Sequence, residues 1–292
     1  MLNNKILVTG AYGLLGTTLC KKLENKGYNV IKHGRKINRD ENFKINNFKL
    51  LRKNLNRIQP SYIINLAAFT DVDKCEKDIS KAFELNVKFL ENFNKYLLKK
   101  KNKCRFIHIS TDQVYSGPGP HQEKNVNPIN NYGLTKFLGE LIITHNDALI
   151  IRTNFVGKTQ RENRLSLTDW FLKNIKEKRK ITLYNDIYFN PLEINYLAVL
   201  ILKIMNKKVT GTFNLGSRQG ISKANLLMKI GKNLKLNTKK CKISKMKASK
   251  KKAKRPKNMI MNCKKFEKVF KIKLPSLQDQ IMRISKNYQG EI

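Results

Sequence analysis

Residues 5–23 constrain the fold more than any other stretch of the chain. Lys5-Ile6-Leu7-Val8-Thr9 is a short apolar, β-prone run. Gly10-Ala11-Tyr12-Gly13-Leu14-Leu15-Gly16 follows at once, and Leu15, Leu19 and Leu23 then recur at helical spacing. Glycines between a strand and a helix are the setting in which backbone wraps a pyrophosphate. Gly10 allows the tight turn, Gly13 lets the main chain approach a phosphate, and Gly16 allows close helix packing. N–H groups at the helix start favour the anion. The spacing is G-x-x-G-x-x-G rather than G-x-G-x-x-G.

Strand-like runs continue at 28–32, 61–68, 104–110 and 148–153, with helical stretches between them. The stretch 79–100 carries Ala82, Leu85, Val87, Phe89, Leu90 and Phe93 at helical spacing and predicts one helix; 131–145 predicts another. Alternating β and α implies an α/β fold, a doubly wound parallel sheet with helices on both faces. After about residue 155 the elements shorten. Helices are predicted over 168–178, 193–205 and 222–234, with Ser222 as an N-cap, and strands over 181–184 and 211–216. The division is a dinucleotide-binding domain over 1–154, which also uses the chain around 181–215, and a smaller, mainly substrate-binding α/β part over 155–292. Ligands of an open parallel sheet lie beyond the carboxyl ends of its strands. Gly10–Gly16, Ala67-Ala68-Phe69-Thr70 and Ser110-Thr111-Asp112 are all expected there.

Tyr132 and Lys136 stand four apart, so on a helix they project from one face. A free tyrosine has a pKa of about 10, too high for proton transfer at neutral pH. An ammonium one turn away favours the tyrosinate and lowers that value. With the Thr111 hydroxyl holding a substrate oxygen beside the phenol, this trio moves a proton on or off a carbinol oxygen while a hydride leaves or joins its carbon. The second strand runs into His33-Gly34-Arg35-Lys36, with no acid for a ribose 2′-hydroxyl. Arg35 suits a 2′-phosphate, so NADP(H) is the expected cofactor and NAD(H) the alternative.

Sixty Lys plus Arg against twenty-one Asp plus Glu give a formal charge of +39. Such a surface attracts polyanions non-specifically. The lysines are spread over every segment and accompany abundant Asn and Ile, which reads as compositional bias. The densest basic run, 247–257, reads as a solvated loop. No apolar run of about 18 residues predicts a membrane span, and the N-terminus runs directly into a strand, so a cytoplasmic protein is expected. Five scattered cysteines form no C-x-x-C pair and fit a reducing compartment. His33, His108, His121 and His145 are too dispersed for a metal site, and none is expected. His108 reads as a packed core histidine, Trp170 as packing, and Asp71 and Asp73 as an exposed loop.

Several blocks together resemble the extended short-chain dehydrogenases/reductases, and within them the dTDP-4-dehydrorhamnose reductase family. They are Thr9–Gly16, Asn65-Leu66-Ala67-Ala68-Phe69-Thr70, Ser110-Thr111-Asp112-Gln113-Val114-Tyr115, Asn130-x-Tyr132-Gly133-x-x-Lys136 and Gly139-Glu140. Asp73-Lys74-Cys75-Glu76, Asn86 and Arg255-Pro256-Lys257-Asn258 extend the likeness over about residues 5–280. The resemblance implies that Tyr132 donates a proton to the C4 oxygen of a 4-keto sugar. Lys136 would lower its pKa and hold the nicotinamide ribose, and Thr111 would bind the substrate oxygen. Gly10, Tyr12, Gly13, Leu14, Leu15 and Gly16 would cradle the pyrophosphate. Ala67, Ala68 and Thr70 would line the cofactor. Asp112, Gln113 and the wall Arg152-Thr153-Asn154-Phe155 would face a nucleotide-linked sugar. A homodimer through helices 79–100 and 131–145 is a further implication.

The chain also departs from the pattern. Lys44-Ile45-Asn46-Asn47 stands where relatives often have an acid near the adenine. Phe155 stands where they often have Trp, and Asn190-Pro191-Leu192 replaces a Ser- or Thr-containing triplet. Other outcomes for such a scaffold are a 4-epimerase, a dehydratase, an NADP-binding regulatory subunit without turnover, and an RNA-binding protein. Gln113 beside Asp112 argues against dehydration, which calls for a second acid. Retention of Thr111, Tyr132 and Lys136 argues against a pure binding module.

Overall fold

The computed structural model describes residues 5–34, 44–99, 104–159, 165–247 and 252–290. Its first part alternates as the sequence predicts: β1 (Lys5–Thr9), α1 (Leu14–Glu24), β2 (Asn29–His33), α2 (Phe48–Ile58), β3 (Tyr62–Asn65), α3 (Val72–Lys77), α4 (Ile79–Phe83), α5 (Phe89–Lys99), β4 (Arg105–Thr111), α6 (Asn131–Ile142) and β5 (Ala148–Thr153). The second part is built from β6 (Phe155–Val156), α7 (Leu167–Lys176), β7 (Ile181–Tyr184), β8 (Tyr188–Phe189), β9 (Leu192–Glu193), α8 (Ile194–Met205), β10 (Gly211–Leu215), β11 (Ile221–Ser222), α9 (Lys223–Asn233), β12 (Cys241–Ser244), α10 (Lys264–Phe270) and α11 (Leu277–Lys286).

Six strands form one parallel sheet in the order β10-β5-β4-β3-β1-β2. From β1 the chain goes outward to β2 and then crosses to β3 on the other side. The strand order therefore reverses between β1 and β3, and a crevice opens there at the carboxyl ends. Buried side chains alternate between the faces. Ile6, Val8, Ile64, Ile107, Ile109, Leu149 and Ile151 join α1, α8 and α10 on one face. Leu7, Ile63 and Phe106 meet α2 and α5 on the other, where α6 packs beside α5. Toward the carboxyl ends that second face turns polar: Thr9, Asn65 and His108 occupy successive strands in register. Short strand pairs β6–β9, β7–β12 and β8–β11 carry the rest, with α7, α9 and α11 packed around them.

The predicted single helix over 79–100 is three pieces. A π-helical turn, Glu84–Lys88, separates α4 from α5. Its extra residue turns Asn86 inward, as such bulges do near functional sites. Trp170 is 36% exposed rather than packed, because α7 presents Phe171, not Trp170, to the core. Asp71 is exposed and precedes α3, which it caps by accepting from Lys74 N at 3.1 Å, whereas Asp73 lies in that helix's first turn rather than in a loop. Ser222 caps α9 as expected.

Candidate active site

The glycine loop sits at the reversal crevice. Gly10 has φ +67, and a Cβ on Gly16 would lie 2.2 Å from Gly10 O, so neither position accepts a side chain without moving the loop. N-cap Gly13 supplies no side-chain cap to α1, and no acid stands in its first turn. The helix start therefore offers backbone N–H groups without a competing carboxylate, which fits a phosphate. Across the crevice, residues 66–70 follow β3. Asn86 holds them: Phe69 N donates to its Oδ1 at 2.8 Å, and its Nδ2 lies 3.2 Å from Phe69 O and 3.0 Å from Thr135 Oγ1 on α6. Asn86 thus ties the crevice wall to the helix that bears Tyr132 and Lys136. Its signal in the sequence is an amide between Leu85 and Val87 in an apolar helical run.

β4 ends at Thr111, and a 3-10 turn, Asp112–Val114, follows. Thr111 Oγ1 accepts from Gln113 N at 3.2 Å. Asp112 is 1% exposed, and Asn154 donates to its Oδ2 at 2.8 Å. Burial pushes its carboxyl up to about 6, against the pull of the Asn154 hydrogen bond and the Lys223 charge. α6 then comes down on this turn. Asn130 caps it by accepting from Gly133 N, and a Cβ on Gly133 would meet Gln113 O at 2.3 Å. Only glycine lets the helix approach so closely, and the helix so placed carries Tyr132 and Lys136 onto β4 and the turn after it.

Tyr132 is 8% exposed and packs with Val72, Cys75, Ala82, Phe69 and Ala253. Lys136 is buried; its Nζ donates to Ile109 O at 2.9 Å and lies 3.1 Å from His108 Nε2. Burial pulls Lys136 down to about 8, with Glu140 pulling the other way. Burial holds His108 well below its ordinary value, and the Lys136 charge adds to that.

Four placements differ from, or fall outside, the sequence reading. Arg152 does not form a substrate wall. Its guanidinium is buried and pairs with Glu140, Nη2 to Oε2 at 2.5 Å, while Ser110 Oγ also donates to Glu140. The wall's other members are Asn154, turned to Asp112, and Phe155, half-buried against the main core. The basic run is not all solvated loop. Ala253 is buried, Ala253 N donates to Asp73 Oδ1 at 3.0 Å, Arg255 Nη2 pairs with Asp73 Oδ2 at 2.9 Å, and Asn130 Nδ2 donates to Lys254 O at 2.9 Å. This segment roofs Tyr132. Arg35 and Lys36, on which the expectation of NADP(H) rested, lie outside the described residues. Where an acid was missed near the adenine, Asn47 caps α2, accepting from Leu50 N at 3.0 Å, and Asn46 donates to Glu84.

Among the described residues no helix is long and apolar enough to cross a membrane. Residues 4–289 match the family model of the RmlD substrate binding domain. The spore coat polysaccharide biosynthesis protein SpsK of Bacillus subtilis is 33% identical over 207 residues, 69% of this chain and 70% of that protein. The dTDP-4-dehydrorhamnose reductase of Salmonella typhimurium is 31% identical over 66% of this chain and 64% of its own length. The crystal structure of dTDP-4-dehydrorhamnose reductase from Bacillus anthracis in complex with NADP superposes with a TM-score of 0.85 at 25% identity, covering 96% of this chain and 98% of that one.

Proposed function

From the premise that the chain belongs to the RmlD substrate binding domain family, we propose that it is an NADPH-dependent reductase of the C4 keto group of a nucleotide-linked 4-keto-6-deoxy sugar. The product would feed deoxysugar and polysaccharide synthesis. One observation carries the reading: α6, which bears Tyr132 and Lys136, packs on β4 and on the turn after it, where Thr111 ends the strand, and Lys136 Nζ bonds Ile109 O of that strand. Gly10, Tyr12, Gly13, Leu14, Leu15 and Gly16 hold the pyrophosphate, and Ala67, Ala68 and Thr70 line the opposite wall. We assign the cofactor to the domain 1–154 and the sugar mainly to 155–292, with Asp112, Gln113 and Phe155 at their junction.

A bound nicotinamide supplies a hydride to the sugar's C4. The chain's own residues handle the proton. Thr111 Oγ1 donates a hydrogen bond to the C4 oxygen. Tyr132 gives that oxygen its phenolic proton as charge develops there. Lys136 has three N–H donors when charged. Among the described residues His108 and Ile109 O account for two, which leaves one for the phenol or the cofactor ribose. Its positive charge favours the tyrosinate that remains.

The test is NADPH oxidation followed by absorbance, with dTDP-4-keto-6-deoxy-L-mannose as substrate and NADH in parallel. Oxidation that requires both sugar and protein, faster with NADPH, supports the reading and the part given to Arg35. Tight NADPH binding with no oxidation of this or another nucleotide-linked 4-keto sugar would overturn it in favour of a non-catalytic NADP-binding subunit. Exchange of the C4 hydrogen with no net oxidation would point to a 4-epimerase.

A further inference from the structure

Behind Lys136 the sheet carries polar side chains where the row beneath it is apolar. Leu7, Ile63 and Phe106 lie side by side on β1, β3 and β4, and two residues on, Thr9, Asn65 and His108 do the same. Thr9, Asn65 and His108 are at most 1% exposed. Thr9 Oγ1 donates to Asn65 Oδ1, Asn65 Nδ2 lies 2.9 Å from His108 Nδ1, and His108 Nε2 lies 3.1 Å from Lys136 Nζ. Buried polar groups are costly unless every member is satisfied. A packed core histidine alone explains neither the order of this row nor its end on Lys136.

A neutral imidazole has one N–H and one lone pair. With Asn65 donating to Nδ1, the hydrogen sits on Nε2 and points at Lys136, which must then be a neutral amine offering its lone pair. Turning the Asn65 amide by half a turn gives a second arrangement. Asn65 then donates to Thr9 Oγ1 and accepts from Nδ1–H, and the Nε2 lone pair accepts from the Lys136 ammonium. Each arrangement pairs every group in the row. They differ by one proton: the second has three hydrogens on Nζ and one on Nδ1, the first two on Nζ and one on Nε2. The titratable groups around Lys136 are His108 from β4 and Glu140 one turn on along α6, already paired with Arg152 from β5, while Tyr132 stands one turn back on the same helix.

We propose that His108 is a positioning residue for Lys136: the row Thr9–Asn65–His108 fixes the lysine nitrogen in place, and the tautomer of His108, set by the Asn65 amide, decides whether that nitrogen holds an ammonium. The role in turnover rests on the reductase reading; the coupling itself does not. With the Nδ1–H tautomer, both inward positions on Nζ are donors and the outward one faces Tyr132. With the Nε2–H tautomer, the lysine lone pair is turned inward and the charge is lost.

The chain has four histidines, so ring nitrogen NMR of protein labelled with 15N-histidine can be assigned by single substitution. The expected result is a neutral His108 throughout pH 6–9 whose two ring signals move as Lys136 titrates, a movement absent in Lys136→Met. Identical His108 signals in both proteins, or an imidazolium, would overturn the proposal. Turnover gives a second reading. His108→Gln keeps an acceptor near the place of Nε2 and should retain kcat within about 5-fold. His108→Asn is too short to reach Lys136 and should lose roughly 10–100-fold in kcat with little change in KM. Its alkaline limb should move to lower pH, because the buried ammonium has lost an acceptor. Equal losses in the two variants with unmoved limbs would make His108 a space-filler. A protein that oxidises no NADPH but keeps the coupled NMR signal sinks the reductase reading and supports the coupling.

Discussion

Exchanging Tyr132 for phenylalanine removes one oxygen from a nearly buried ring whose packing partners Val72, Cys75, Ala82 and Ala253 are apolar. The fold should tolerate it. Tyr132→Phe is expected to leave NADPH affinity, read by fluorescence titration, within about 3-fold, and to cut turnover by roughly 10²–10⁴-fold, the scale of general acid–base catalysis. Undiminished turnover would remove the phenol from the mechanism. Lys136 makes the opposite trade. Burial pulls its folded pKa down to about 8, from an ordinary lysine value of 10.5. Stability from the neutral form is therefore present above about 10.5 and lost as the pH falls through 8. Lys136→Met has no such loss. Its stability advantage over the parent should be larger at pH 7 than at pH 10.5 by on the order of 3 kcal/mol, measured by urea unfolding at both values, while turnover collapses. A gap that does not change with pH would mean that burial leaves the lysine's pKa where it stands in the unfolded chain.

At the scale of elements, local pattern was readable wherever one strand or helix made its own case. β5, the glycine turn into α1 and the Ser222 cap of α9 all lie where periodicity and capping chemistry put them. The break in the helix after Phe83 was not readable, because one extra residue in a π-helical turn leaves the apolar spacing of Ala82, Val87, Leu90 and Phe93 nearly intact. The roof over Tyr132 was hidden differently. Lysines on both sides of Ala253 mask a buried residue whose partner, Asp73, is 180 positions away. The row behind Lys136 likewise required strand register, which no single strand encodes. Asn86 is where these elements meet, and it provides a test. Asn86→Ala leaves Phe69 N without its acceptor and uncouples the crevice wall from α6. The expected cost is about 1–3 kcal/mol in urea unfolding, with a weakened NADPH affinity. An unchanged stability would show that the loop after β3 is held by its own packing.

At the scale of the whole molecule, exposed apolar helix faces and net charge set how the chain associates and how salt acts on it. Ile79 and Phe83 on α4 and Leu134 and Leu141 on α6 are all more than a third exposed, and the two helices pack together. A second copy docked on this face would cover them; sedimentation should give a dimer for the parent chain and a monomer for Leu141→Glu, and a monomeric parent would end the idea. The charge bears on both folding and binding. At +39 the folded chain repels itself, and unfolding relieves that repulsion by spreading the charges apart. Salt shortens the Debye length from about 10 Å at 0.1 M to about 3 Å at 1 M, so it weakens the repulsion more than it weakens the short ion pairs, such as the buried Arg152–Glu140 pair. The melting temperature should therefore rise steadily with sodium chloride up to 1 M. Binding to a generic polyanion such as heparin should fall steeply over the same range, since it proceeds by counterion release. If the lysines were instead arranged into a dedicated nucleic-acid surface, one RNA would resist salt far better than heparin. If exposed ion pairs such as Lys95–Glu91 and Lys32–Glu24 dominated, the melting temperature would fall with salt. A rise in stability together with equal salt sensitivity for every polyanion would identify the charge as a compositional load that the fold tolerates rather than a site that it builds.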